Sequence, residues 1–512
     1  MLSKIYTCAV LGINGQIIEV ETDISNGLPC FTIVGLPDAA VKESKERVRT
    51  AIKNSGYKFP TKKVTINLAP AHIKKEGPCF DLPIAIGILN ATDQINCNNI
   101  DDYLFLGELS LDGRVKPVNG VLCVAAEAAK KGYENIIIPY KNTYEAAIIK
   151  DINIYPVSSL KDTIEVIEDG NIAPFTVEIE DIMNKEADYE DFCDIKGQEN
   201  AKRALEIAAA GNHNILMIGP PGSGKTMLAK RLPGILPSMT MEEAIEVTKI
   251  YSTSGKLNAA SSSSSIIRNR PFRSPHHTIS AISLIGGGKT PKPGEVSLCH
   301  YGVLFLDELP EFQRNALEVL RQPMEDGEVN ISRVSGTLTF PSIFMLVASM
   351  NPCQCGYHND STRECTCSPM AIKKYLNKVS GPLLDRIDIH LEVYPVKYHE
   401  LEDENKGEST KVIRERVKKA RNIQLQRYKD YNIYCNAQLT SGMIKKYCKI
   451  DEPSKKLLRE TFESLGLSAR AYNKILKIAR TIADIEGLEN IHLDNICEAI
   501  QYRSMDRKYW EY

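Results

Sequence analysis

A chain of 512 residues with 43% hydrophobic and 25% charged residues is long enough for about three domains, each with its own core. Its net charge of −2 excludes a global basic field, so any nucleic-acid partner has to be met by local patches. No apolar run approaches the roughly 20 residues that span a bilayer and Met1–Thr7 lacks a signal peptide's layout, so a cytoplasmic protein is expected.

Residues 1–175 mix short strand patterns (Ile17–Val20, Val64–Leu68, Asn135–Ile138) with helical ones (Ala39–Asn54, Asn119–Lys131), which predicts an α/β domain. The acidic stretch 176–192 reads as a linker. A second α/β block runs over 193–396, and periodic apolar positions such as Ile475, Ile478, Ala479 and Ile482 make 397–512 a helical domain. Within the second block, Ser254–His300 is longer than a compact core needs; it contains the serine run Ser261–Ser265, expected to be mobile, and Gly286-Gly287-Gly288-Lys289 followed by Lys292.

The chemistry concentrates in that second block. The apolar run Ile215–Ile218 leads into Gly219-Pro220-Pro221-Gly222-Ser223-Gly224-Lys225-Thr226, a phosphate-binding loop. Its glycines let successive backbone N–H groups face the phosphates, Lys225 neutralises them, and the Thr226 hydroxyl can ligate Mg²⁺ where the helix Met227–Leu232 continues. Val303–Leu306 reads as a buried strand ending in Asp307-Glu308, one carboxylate for the Mg²⁺ and the next to polarise a water. A further strand, Phe344–Ala348, leads to Asn351, whose amide either hydrogen-bonds the attacking water or γ-phosphate or only shapes the turn before Pro352.

Of fourteen cysteines, ten are scattered singly, as reduced buried thiols are. The other four form two Cys-x-Cys pairs, Cys353 with Cys355 and Cys365 with Cys367, around a polar loop. Four thiolates converging there make a closed tetrahedral zinc site; a disulfide or chance enrichment is the other reading of the same spacing.

The ordered motifs Asp194-Ile195-x-Gly197-Gln198, Gly219–Thr226, Ser274-Pro275-His276-His277, Leu306–Phe312, Met350-Asn351-Pro352-Cys353 and Gly381–Asp388 resemble the magnesium-chelatase-like branch of the AAA+ ATPases. With the N-terminal block included, the chain is similar to the competence protein ComM family over nearly its whole length, with Gln354 where that family usually has proline. The resemblance implies an AAA+ P-loop core with an N-terminal Lon-protease-like α/β domain and a C-terminal helical lid. It implies ATP and Mg²⁺, a homo-hexameric ring, single-stranded or branched DNA as partner, and branch-migration helicase activity in natural transformation and recombination. It also implies two arginine roles: Arg386, after the helix that starts near Ser368, as a finger on the neighbouring subunit's nucleotide, and Arg470 as a second sensor of the γ-phosphate. On spacing alone, pairing with a surface carboxylate is the favoured reading of either arginine.

Lys75-Glu76-Gly77-Pro78-Cys79 resembles the Lon segment that carries the nucleophilic serine, with cysteine in its place. Gly107–Val115 and Pro117–Gly120 resemble the later strand and turn of that family, but Val121-Leu122-Cys123 is apolar where its catalytic lysine should follow. A nucleophile without its base gains little reactivity, so a non-proteolytic scaffold is expected. DNA contact is expected from Lys289, Lys292 and, in the stretch Gly327–Phe340, Arg333. The alternative reading is a chelatase-like ATPase that remodels a protein partner.

Overall fold

The computed structural model describes residues 2–96, 99–169, 172–177, 189–257, 266–288, 291–333, 336–358, 363–396, 400, 402, 407–431, 433–465, 468–503 and 509. The linker 176–192 therefore falls mostly, and the serine run 261–265 wholly, outside the described residues. The chain forms two units, the first made of Met1–Glu186, Met241–Arg268 and Asn330–Phe340, the second of Ala187–Thr240, Asn269–Val329 and Pro341–Tyr512.

The first unit is built on a seven-stranded sheet. Strands β1 (Leu2–Leu11) and β2 (Asn14–Ser25) pair antiparallel from Leu2 opposite Asp23 to Leu11 opposite Asn14. Gly12, at φ 67°, turns the chain between them. With β3 (Cys30–Val34), β4 (Lys63–Ala69), β5 (Tyr103–Phe105), β6 (Asn135–Pro139) and β7 (Asn153–Val157) the order is β3-β4-β2-β1-β5-β6-β7. Only β1–β2 and β2–β4 are antiparallel. Helix α1 (Ala39–Asn54) starts where the Asp38 carboxylate accepts a hydrogen bond from the Val41 N–H at 2.8 Å, and buries Val41, Val48 and Ile52. Helix α2 (Asp81–Ala91) is apolar on every side and buried nearly throughout, as a helix inside a core must be. Helices α3 (Val121–Lys130) and α4 (Leu160–Asp169) complete the layers.

Two segments that lie far along the chain join this unit. The helix Met241–Ser254 packs against α3, with the Ser252 hydroxyl donating to Glu145 and the Cys123 thiol to the Lys249 carbonyl at 3.8 Å. Most of the hairpin Glu328–Arg333 and Gly336–Pro341, over Asn330–Phe340, belongs here and brings Thr339 and Phe340 beside Gly12.

The second unit is built on a five-stranded parallel sheet. Its strands are β8 (Ile215–Ile218), β9 (Phe272–Arg273), β10 (Val303–Leu306), β11 (Met345–Met350) and β12 (Ile389–Glu392), in the order β9-β10-β11-β8-β12. All residues of β8, β10 and β11 are buried, because a parallel sheet is covered on both faces and its strands read as continuous apolar runs. Helices α5 (Glu199–Gly211), α6 (Lys225–Ile235), α7 (Pro369–Leu376), α8 (Thr410–Arg427) and α9 (Ala469–Ile485) surround it. One core links Met217, Phe305, Val347 and Ile389 of the sheet to Val417 of α8 and to Ile475, Ile478, Ala479 and Ile482, the stripe along α9. Among the described residues no helix is long and apolar enough to cross a membrane.

Candidate nucleotide site

Three neighbouring strands end at one edge of the five-stranded sheet, and their ends carry the motifs. Ile218 lies opposite Met350 and Leu306 opposite Ala348, so the residues that follow β8, β10 and β11 emerge side by side at the carboxyl ends, where open α/β sheets bind ligands. The Gly219 N–H holds the loop to the sheet by donating to the Met350 carbonyl at 3.2 Å. A Cβ on Gly219 would stand 2.1 Å from the Val393 carbonyl oxygen, so only glycine fits there. Gly222 and Gly224, at φ 80° and 86°, make the turn into α6.

Lys225 opens α6 and is buried, with its ammonium donating to the Gly219 and Pro220 carbonyls at 2.8 and 2.9 Å, to the Ser223 hydroxyl at 3.3 Å and to Asn351 Oδ1 at 3.4 Å. Burial pulls its pKa down to about 8, against the pull of Asp307 and Glu308 in the other direction. The lysine is therefore aimed at the mouth of the loop with no carboxylate bonded to it. Gln198, just before α5, reaches over the same loop to the Ser223 carbonyl at 3.3 Å and also to the Tyr394 carbonyl.

The Thr226 hydroxyl donates to Asp307 Oδ2 at 2.8 Å, and the other Asp307 oxygen accepts from the Ser349 hydroxyl. Hydroxyl and carboxylate thus form an oxygen pair of the kind that suits Mg²⁺. Glu308 is exposed, at φ 54°, a backbone conformation uncommon outside glycine that swings its side chain away from the strand direction. Its carboxylate stands 3.7 Å from His277 Nδ1. Neither Ser349 nor His277 was singled out for this place by the sequence pattern: Ser349 sits inside a strand that reads as core, and His277 lies in a motif whose partner is fixed only by the fold.

The two arginines lie together, away from these contacts. Arg386 pairs with Glu325 and donates to the Pro382 carbonyl at 2.6 Å, while its Nε is buried without a partner. Arg470, in the first turn of α9, pairs with Asp385 Oδ2 at 3.2 Å and is 70% exposed. Lys474, one turn further, donates to the Asp385 and Ile387 carbonyls, so the start of α9 is fastened to the segment that carries Arg386. Among the described residues neither guanidinium bonds to the phosphate loop.

Comparison with known proteins finds relatives along nearly the whole chain. Three family models match: magnesium chelatase, subunit ChlI, over 191–401; subunit ChlI of Mg-chelatase over 20–142; and the ChlI C-terminal model over 407–503. The chain is 45% identical over 511 residues to the competence protein ComM of Haemophilus influenzae, covering 99% of this chain and 98% of that protein. The chain belongs to the ComM family of magnesium-chelatase-type AAA+ proteins. Its members also include the uncharacterized protein YifB of Escherichia coli, 44% identical over 508 residues, covering 99% of this chain and 98% of that protein. Lon protease 2 of Bacillus subtilis is 33% identical over 185 residues, a third of each chain.

Membership of an AAA+ family implies ATP and Mg²⁺ for the loop and its carboxylates. The same unit holds the cysteine cluster that follows Asn351. The sulfurs of Cys353, Cys355, Cys365 and Cys367 all lie within 4.8 Å of one another, with Cys353 3.3 Å from Cys355 and 3.7 Å from Cys365, and Cys355 3.6 Å from Cys365. Tetrahedral zinc with Zn–S bonds of 2.3 Å sets its sulfurs about 3.8 Å apart, so the donor set fits that ion. Gly356, next to the cluster at φ 89°, lies against Pro221 of the phosphate loop, where a Cβ would come within 2.6 Å of the ring.

The Lon-like positions lie in the first unit and form no comparable site. Burial pushes the Cys79 thiol up to about 12, with the nearby Asp81 carboxylate adding to it. Lys75 is buried, and its ammonium is spent on the Pro70 carbonyl. Cys123, in the apolar run where the Lon lysine is missing, points its thiol at the Lys249 carbonyl. Of the basic residues expected to meet DNA, Lys292 is exposed in a short strand, whereas Lys289 and the side chain of Arg333 lie outside the described residues.

Proposed function

We propose that the protein is an ATP-driven motor that moves branch points in DNA as a homo-hexameric ring. Lys225 and the loop amides hold the phosphates, Thr226 and Asp307 hold Mg²⁺, Glu308 draws the proton from the attacking water and Asn351 orients that water or the γ-phosphate. Bound there, Mg²⁺ would supply charge neutralisation for the phosphates. Arg386, released from Glu325, reaches the neighbouring subunit's nucleotide, and Arg470 on α9 reports the γ-phosphate to the lid. The observation that carries the hydrolytic part is the convergence of Lys225, Thr226, Asp307 and Asn351 on the ends of three adjacent parallel strands, with Glu308 exposed beside them.

The DNA part is supported by kinship with a protein named for competence, and it is tested by ATPase rate. Forked or four-way DNA is expected to stimulate hydrolysis and to be branch-migrated in a salt-sensitive reaction. The chelatase models favour a second reading, remodelling of a protein partner. Stimulation by such a partner and not by any branched or single-stranded DNA would replace the motor with it.

The cysteine cluster is proposed to hold one structural zinc per chain through Cys353, Cys355, Cys365 and Cys367, stiffening the turn between Asn351 and α7 next to Pro221. Elemental analysis of protein prepared without added metal should give about one zinc per chain. Free alkylation of all four thiols in the native protein, with no zinc, would end the proposal.

A further inference from the structure

Charge in this chain is unevenly spread. Between Lys42 and Lys63 there are eight basic and two acidic residues, in a protein with a net charge of −2. Folding brings several of them to one place in the first unit, an open groove of about 1050 Å³ at the end of α1 and along the loop to β4. Its wall includes Lys53, Lys58 and Lys62 together with Tyr57 and Phe59. The three lysines are exposed, and among the described residues their ammonium groups form no ion pair. Like charges left unpaired around one concavity attract an anion.

The wall is held in place. Gly56, at φ 91°, ends α1, and the Tyr57 N–H closes the turn on the Ile52 carbonyl at 3.1 Å. Gln94 clamps the next residue from both sides, accepting from the Lys58 N–H at 2.8 Å and donating to the Lys58 carbonyl at 2.7 Å. The Phe59 ring lies 5.6 Å from Phe31 and 5.7 Å from the Arg49 guanidinium carbon. Opposing charge comes from Glu165 and Glu168 of α4, which act on the Tyr57 hydroxyl, and Glu168 already accepts from the Asn96 N–H.

We propose that this groove binds single-stranded nucleic acid, with Lys53, Lys58 and Lys62 on backbone phosphates and Tyr57 and Phe59 as platforms for bases. A track of cations beside aromatic rings suits a strand whose phosphates and bases alternate, and stacking needs no particular sequence. An acidic peptide would use the lysines but leave the rings without a matching face. The groove shares its partner class with the motor reading, yet it lies in the other unit from Lys225 and should work without nucleotide.

The test uses the full-length protein, without nucleotide, and a fluorescein-labelled oligothymidylate. The triple variant K53Q/K58Q/K62Q should bind about tenfold more weakly, and its plot of log affinity against log salt should be shallower by about 2, the effect of three lost phosphate contacts on single strands. Its DNA-independent ATPase should equal that of the parent. Equal affinity and equal salt slope in parent and variant would overturn the proposal, even if forked DNA stimulates both ATPases and the motor reading stands. Loss of binding in the variant, with no DNA stimulating either ATPase, would keep the groove and remove the motor. As a check free of substitutions, an iodouridine-substituted oligomer should photo-crosslink to Tyr57 or Phe59. Adducts confined to other peptides, or equal displacement of the oligomer by polyglutamate with no adduct on these rings, would overturn it.

Discussion

Both units are α/β and both resemble enzymes, yet they use their ionisable groups in opposite ways. In the first unit the carboxylates are struts. Asp81 is wholly buried, bound by Arg47 Nε at 2.7 Å and the Leu109 N–H at 3.2 Å, and Glu145 accepts from the Leu122 N–H, Asn142 and Ser252. Burial raises both carboxyls, and their full sets of hydrogen bonds hold them in place. In the second unit Asp307 is half-buried and Glu308 exposed, at strand ends that face an open loop. A shared type of scaffold thus says little about chemistry; what separates the two is whether polar groups are closed on one another or left aimed outward.

The sharpest way to break this contrast is to remove the outward groups. Lys225→Ala should abolish ATP binding, measured by a fluorescent nucleotide, because its ammonium is the protein cation that sits at the loop. Arg386→Ala should keep binding and lose turnover by a factor of about 10³–10⁵, the range of arginine fingers in GTPases. Glu308→Gln should bind ATP and hydrolyse it about 10²–10⁴ times more slowly, the usual worth of a general base. Mixed Arg386→Ala and Glu308→Gln subunits should recover some activity at interfaces that pair an intact finger with an intact base. Additive inactivity in the mixture would place Arg386 in its own subunit's structure, in keeping with its bond to Glu325.

A gentler probe is pH. Burial holds Lys225 at about 8, so its charged form is disfavoured, and a polyphosphate beside it restores that form. Binding therefore takes up a proton once the pH passes 8, and the dissociation constant should rise about tenfold per pH unit from there toward the ordinary lysine range. Below 8 it should be flat with respect to this group. Calorimetry in buffers of different ionisation enthalpy measures the uptake directly, and no uptake at pH 9 would mean that Lys225 is not the group facing the phosphates.

The parts of the site that were legible in the sequence are those where several chemical residues follow one strand: Gly219–Thr226 after β8, Asp307-Glu308 after β10 and Asn351 after β11. Contacts made across the fold were not legible. Ser349 reads as core because its strand is buried at every position, yet its hydroxyl holds Asp307. His277 meets Glu308, and Arg470 meets Asp385 from 85 residues away, through packing that no local period encodes. In the first unit the long hairpin Leu2–Ser25 is visible in the sequence only at Ile17–Val20, since β1 alternates weakly. The grouping of Met241–Arg268 with that unit depends on contacts such as Cys123 to Lys249, which local patterning cannot see.

The smallest expected effect lies at Cys79. If the first unit is closed chemically, its most enzyme-like residue should be inert. A thiol pushed up to about 12 is ionised to roughly one part in 10⁴ at pH 8, and alkylation follows the thiolate and its access to solvent. Iodoacetamide at pH 8 should therefore label Cys30 and Cys497, both exposed, long before Cys79. Cys79→Ala should leave ATP hydrolysis within about twofold of the parent, since the residue belongs to the other unit from the phosphate loop, and peptide substrates should be cleaved by neither protein. Labelling of Cys79 as fast as Cys30 would mean an activating base within reach of its sulfur. Lys75, four residues earlier, would then have to leave the Pro70 carbonyl, and the two units would no longer differ in the way described.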